Sequence, residues 1–218
     1  MKKLFLLFFL ISVCTCYSQS LDFLPQGLGI EFGLGYNQLK HQEIPSAPLY
    51  SSESLLRNGF KLTPTFRLSW RKGIFYNFSL RPFVGYSIIG GKSNPKANGY
   101  EDEYLFKTLE LGLFASYRLN NVSLSIGSKY NRFLNVTGKF FGSPVDPAGT
   151  NRVWVEKDMS PLFKKGSINL GGGLSYAYSH FIFAAEAWFS LSNLTNKDFE
   201  NFVNVSSKRF QILVGYEL

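Results

Sequence analysis

Two histidines, His41 and His180, are the only side chains of this 218-residue chain that ordinarily titrate near neutrality. Neither has the company that acid-base or nucleophilic chemistry needs. An activated nucleophile requires a base within hydrogen-bond reach and a third group to orient that base, yet His41 falls in a polar connecting segment and His180 in a tight turn. No His and Asp/Glu cluster has the spacing of metal ligands. Gly171-Gly172-Gly173 and Gly33-Leu34-Gly35 open no helix, so they read as packing glycines rather than phosphate loops. No catalytic, cofactor-binding or metal-binding residue is expected. What the chain does offer is charge of both signs at regular places: Glu31, Arg67, Arg81, Glu110, Arg118, Lys129, Glu186, Arg209 and Glu217 all stand on the polar face of alternating segments. Buried charge is costly unless paired, so acids and bases sharing one face predict an ion-pair network filling an interior.

The elements that must position these charges alternate with a period of two, the signature of strands. Eight such segments are predicted: 27–37, 60–71, 77–90, 105–119, 122–132, 167–178, 181–191 and 209–218. In the last, Phe210, Ile212, Val214, Tyr216 and Leu218 share one face while Arg209, Gln211, Leu213, Gly215 and Glu217 share the other. Pro64 and Pro82 interrupt the second and third segments. Each removes a ladder donor, so bulges or the ends of pairing are expected there. Asn120-Asn121 and Ser179-His180 are short enough for tight hairpin turns, and 72–76 is the third short connection. The other connections, 38–59, 91–104, 133–166 and 192–206, are long.

Residues 1–18 have the parts of a secretory signal: Lys2 and Lys3, an apolar run from Leu4 to Val13, then small or polar residues up to Ser18. Cleavage after Ser18 would leave 19–218 as one domain and remove both cysteines, Cys14 and Cys16. Val13-Cys14-Thr15 fits a lipoprotein signal at Cys16 poorly. Loss of Lys2 and Lys3 lowers the net charge from +8 to +6. The bases are scattered rather than clustered with stacking aromatics, which argues against nucleic acid. Mean hydropathy near zero fits a transmembrane barrel, where only alternate residues face lipid.

Export and strict alternation together predict an all-β, eight-stranded, antiparallel up-and-down transmembrane barrel with long extracellular loops and short periplasmic turns, located in an outer membrane. Trp70, Phe78, Tyr117, Tyr176, Tyr178, Phe181 and Tyr216 are expected at the periplasmic rim, and Tyr36, Phe60, Tyr130, Phe189 and Phe210 at the outer rim. A soluble lipocalin-like barrel would turn its apolar face inward. Glycine argues otherwise: Gly29, Gly33, Gly35, Gly85, Gly112, Gly127, Gly171, Gly173 and Gly215 lie on the polar face, where a crowded small lumen needs room for long side chains.

From Gly27 to Tyr36 and through the terminal Phe210 to Leu218, the chain resembles the small outer-membrane barrels of the OmpA and OmpX type, and more particularly the PorT-like family. The terminal strand is similar to the segment that the barrel-assembly machinery recognises, although such strands usually end in Phe and this one ends in Leu218. The resemblance implies an outer-membrane location and no shared enzymatic activity; some PorT-like members serve protein secretion. A likeness to lipid A deacylases would require a His-x-Ser pair on a strand, which is absent. The expected role is structural or interactive, through the segment 133–166. There, Phe140, Phe141, Val153, Trp154 and Val155 would form a hairpin able to bind a partner by edge pairing, or would cap the barrel mouth. Lys139, Arg152, Lys157, Lys164 and Lys165 would meet lipopolysaccharide phosphates. The alternative role is a narrow channel or a component of a secretion apparatus.

Overall fold

The computed structural model describes residues 27–43, 60–92, 103–142, 153–199 and 203–218; the expected signal segment lies outside them. Nine strands occur: β1 (Gly27–Glu43), β2 (Phe60–Phe75), β3 (Phe78–Lys92), β4 (Glu103–Leu119), β5 (Val122–Gly142), β6 (Val153–Asp158), β7 (Gly166–Tyr178), β8 (Phe181–Ser190) and β9 (Val203–Glu217). Eight of them form a ring. Each pairs antiparallel with its neighbours in chain order, β5 passes over β6 to pair with β7, and β9 closes on β1 from Gly29↔Glu217 to Glu43↔Val203. The sheet therefore has no free edge around the ring, which satisfies every wall strand without solvent. β6 is an addition to this ring, hydrogen-bonded to the far end of β5.

Several strands run beyond their sequence-predicted ends, because alternation fades in the sequence before hydrogen bonding stops. β1 continues to Glu43, so His41 is a strand residue opposite Val205, not a loop residue. β2 continues to Phe75, reducing its turn to Tyr76-Asn77. The three short turns share one device: their first residues, Tyr76, Asn120 and Ser179, have φ of 43°, 53° and 54°. Positive φ is what a tight hairpin requires, and Asn accepts it more readily than Tyr or Ser.

Both prolines act as their chemistry dictates. Pro64 pairs with Leu34 on the β1 side, but β2–β3 pairing stops at Thr65↔Ser87. Continued by one residue, that register sets Pro64 opposite Ile88, whose carbonyl is taken up by Thr63 Oγ1 and by Arg209 Nη1 at 3.3 Å. Pro82 stays in register with Leu113 on β4 while the β2–β3 ladder skips it between Ser69↔Phe83 and Lys72↔Leu80. A further irregularity sits in β5. Thr108 faces Phe133 and Lys107 faces Asn135, so Leu134 is an extra residue that shifts the inward face from odd to even numbers. The bulge turns Phe133 and Val136 both inward and leaves Leu134 58% exposed.

The faces divide cleanly. Outside, Leu28, Phe32, Leu34, Leu62, Leu111, Leu124, Ile126, Leu174, Ile212 and Val214 are exposed. At the end carrying the short turns, Phe75, Phe78, Tyr117, Phe181 and Tyr216 form ring contacts, and at the opposite, loop end Tyr36 stacks on Phe60 at 4.2 Å. So wide an apolar exterior, rimmed by aromatics, is inverted relative to a water-soluble protein.

Candidate functional site

The lumen is built in layers, each set by the register that places inward residues of adjacent strands at one height. Nearest the turns, Arg71 on β2 pairs with Glu217 on β9 at 3.2 Å. Above it lies a buried four-member cluster. Arg67 grips Glu186 with both terminal nitrogens, at 2.9 and 3.0 Å, and also reaches Glu31 at 3.2 Å. Arg81 donates to Glu31 at 3.1 Å and to Glu186 at 3.4 Å. The remaining carboxylate capacity is taken by neutral donors: Ser69 Oγ to Glu31 at 2.8 Å, and Trp188 Nε1 and Gln211 Nε2 to Glu186 at 2.9 and 2.6 Å.

One level further, Glu110 accepts from Lys129 at 2.7 Å and from Ser87 at 2.6 Å, with Arg209 at 3.8 Å. Aromatic rings occupy the space between the two charge groups. Phe83, Phe114 and Trp188 form a buried cluster, with Arg67 at 4.2 Å over Phe83, Arg81 at 4.9 Å over Phe114, and Lys129 at 4.6 Å over Trp188. Each cation is thus held by carboxylate on one side and by a ring face on the other. That combination offsets the desolvation of a buried charge better than pairing alone.

Of the nine inward charges singled out in the sequence, Glu31, Arg67, Arg81 and Glu186 come together in one cluster and Glu110, Lys129 and Arg209 in another. Glu217 pairs at the turn end. Arg118 stands apart, its Nε donating to the Asn120 carbonyl at 2.7 Å. Arg71, the last position of the predicted 60–71 segment, is not among the nine, yet β2 continues to Phe75 and holds it inside the wall. Trp188 and Phe83 were legible as inward by alternation, but nothing local marked them as platforms for cations.

The loop end is sealed differently. Leu39, Ile89, Tyr104, Phe106, Phe133, Val136 and Val205 from the wall close around Phe163 and Leu194, which belong to connecting segments. Those segments fold back into the mouth. Phe163 forms an isolated bridge with Thr195, Lys164 N donates to Leu194 O at 2.8 Å, and Asn196 N donates to Leu162 O at 2.9 Å. Phe106 meets Phe133 and Phe163 edge-on at 5.0 and 4.8 Å.

Phe140 and Phe141 lie opposite Val155 and Trp154 in the β5–β6 hairpin. Trp154 is 52% exposed, and among the described residues it is not part of the mouth cluster. Among the described side chains, the cap is formed by residues that the alternation did not single out. A second group at this end joins strands where the ladder is interrupted by Pro64: Glu103 on β4 pairs with Lys61 on β2 and with Lys92 on β3, the latter at 3.5 Å.

No family model and no curated protein matches the chain. Among solved structures it is similar to Ail, the attachment invasion locus protein of Yersinia pestis, solved in complex with the heparin analogue sucrose octasulfate, at 13% identity over 89% of this chain and 100% of that one, TM-score 0.50. It is also similar to Neisserial surface protein A, at 13% identity over 88% and 97% of the two chains, TM-score 0.49. At such identities the likeness is one of fold. The chain has the closed, eight-stranded antiparallel barrel architecture found in small bacterial outer-membrane proteins.

Proposed function

We propose that this protein is an integral outer-membrane barrel with a blocked lumen, serving a structural or surface-interaction role through its loop-end hairpin. One observation carries the reading: an exposed apolar exterior encloses an interior occupied at two heights, first by buried ion pairs and then by an apolar cap. Outward grease needs lipid, and a lumen so filled leaves the exterior and the loop end as the surfaces available for work. With the short turns in the periplasm, the β5–β6 hairpin stands outside the cell, and β6, which among the described residues pairs with β5 alone, offers an edge that can recruit a strand of a partner. Lipopolysaccharide surrounds that end, and the barrel-assembly machinery would engage β9.

The test is insertion. The full chain should enter lipid vesicles, migrate differently on gels before and after boiling, and keep that behaviour when 139–157 is replaced by a short turn. A chain that stays soluble without detergent overturns the reading. A narrow channel or secretion component is the second reading, favoured by buried polar atoms without a protein partner at mid-lumen, Glu110 Oε2, Asn131 Oδ1 and Arg209 Nη2. Steady conductance in planar bilayers would support it, and silence would leave the blocked barrel.

A further inference from the structure

A cleft of about 740 Å³ opens at the loop end, between the bulged part of β5 and the folded-back segment 159–165, and reaches the cap residues Phe133, Val136 and Phe163. Four cations from three separate stretches line it: Arg132 on β5, Lys164 and Lys165 before β7, and Lys197 after β8; Asp158 is the one carboxylate among the lining residues. Its walls are tied by backbone hydrogen bonds and by one asparagine amide. Phe133 N donates to Lys165 O at 2.9 Å, Met159 N to Val136 O at 2.8 Å, and Asn196 Nδ2 to Pro161 O at 3.3 Å. The Asp158 carboxylate accepts Ser160 N–H at 2.9 Å, which engages it inside its own turn. The cations are thereby brought together by the fold before any ligand arrives, which lowers the ordering cost of binding.

The height of the cleft is informative. Tyr130, on the loop-end aromatic rim, packs its hydroxyl against Gly166 directly beside the cleft. Leu134, the bulge residue, points outward from the same lining. Cations just above an aromatic rim, with an exposed aliphatic side chain among them, match an anion that carries acyl chains. We propose that this cleft binds the phosphate of an anionic lipid headgroup, with the acyl chains descending past Tyr130. The proposal rests on the outer-membrane reading and names one ligand class for its surface.

The full chain would be inserted into phosphatidylcholine vesicles doped with fluorescent diphosphoryl lipid A, and enrichment of the labelled lipid around the barrel measured. Replacing Arg132, Lys165 and Lys197 together by Gln should weaken enrichment by at least about tenfold. Replacing Lys40, Lys107 and Lys208, which lie at the same end on other strands, should leave it unchanged. Equal losses in the two triple variants would mean diffuse surface charge and overturn the site. Displacement of the lipid by inorganic pyrophosphate in the aqueous phase would also overturn it, in favour of a free-phosphate site. Failure of the unaltered chain to insert would sink the barrel reading itself, whereas insertion without enrichment sinks only this inference.

Discussion

The two halves of the lumen exclude water by opposite means. In the turn-side half the filler is charge, and every charged atom in the Arg67–Glu186–Glu31–Arg81 cluster comes from a wall strand. In the loop-side half the filler is hydrocarbon, and part of it, Phe163 and Leu194, comes from connections folded back inside. The contrast teaches where each kind of packing is available. Wall side chains converge on the axis from eight directions, so long charged groups can meet across it and satisfy one another. At the mouth β5 and β7 part beyond Arg132↔Gly166, Pro64 breaks a ladder, and the gap is filled by segments that bring their own apolar residues. The charges that do sit there, Lys61, Glu103 and Lys92, are partly exposed and contribute little.

The sharpest way to break this comparison is to orphan the charges. Glu186→Ala leaves Arg67 without its bidentate partner and Arg81 with Glu31 alone, and should cost about 3–5 kcal/mol of barrel stability, read as a lower urea midpoint in detergent or lipid. Replacing Arg67 and Glu186 together by Met should restore much of that loss, because the desolvation penalty disappears with the charges. If the single and double variants are equally damaged, packing and not charge balance holds that half.

The cap should respond next. Phe163→Ala removes a ring from the mouth and should cost about 2–3 kcal/mol, below the range for rigid cores because a folded-back segment can relax. Limited proteolysis should then cut within 159–165 while the barrel keeps its anomalous gel mobility. Unchanged proteolysis would mean that Phe163 does not pin the cap.

Closure of the ring offers a third handle. A side chain at Gly33 would overlap the Ile212 carbonyl of β9, so Gly33→Ala should cost about 1–3 kcal/mol by forcing the closing strands apart. Normal thermal stability of the variant would show that the β1–β9 seam can shift at no cost. The smallest effect belongs to the turns. Ser179→Gly relieves a positive φ without touching the lumen and should stabilise by up to about 1 kcal/mol, measurable as a small rise in urea midpoint.

How legible these features were depends on periodicity. The eight wall strands, the outward belt and the inward rank of Glu31, Arg67, Arg81, Glu110 and Glu186 follow from alternation, since a side chain's face on a strand is set by parity alone. Strand ends were less legible: His41 lies past the point where alternation fades, yet the β1–β9 ladder carries on through it, and β2 runs beyond Arg71, the last predicted position, to pair Lys72 with Leu80. Parity also failed at Leu134, where one extra residue exchanges inside for outside and brings Val136 into the cap. Prolines announced a disturbed ladder, but not that Thr63 and Arg209 would supply the missing donors to Ile88.

By itself, the order of residues determined that the chain is strand-built, that one face is apolar and the other carries balanced charge, and that the apolar face turns outward, because glycines and long charged side chains crowd the same parity. Only the tertiary structure decided which acid meets which base, since Arg67 and Glu186 are 119 residues apart and are joined by shear and closure of the ring. It also decided that Phe163 and Leu194 enter the mouth while Trp154 remains outside. Connections have no repeat to read, and where they settle depends on the space the closed wall leaves them.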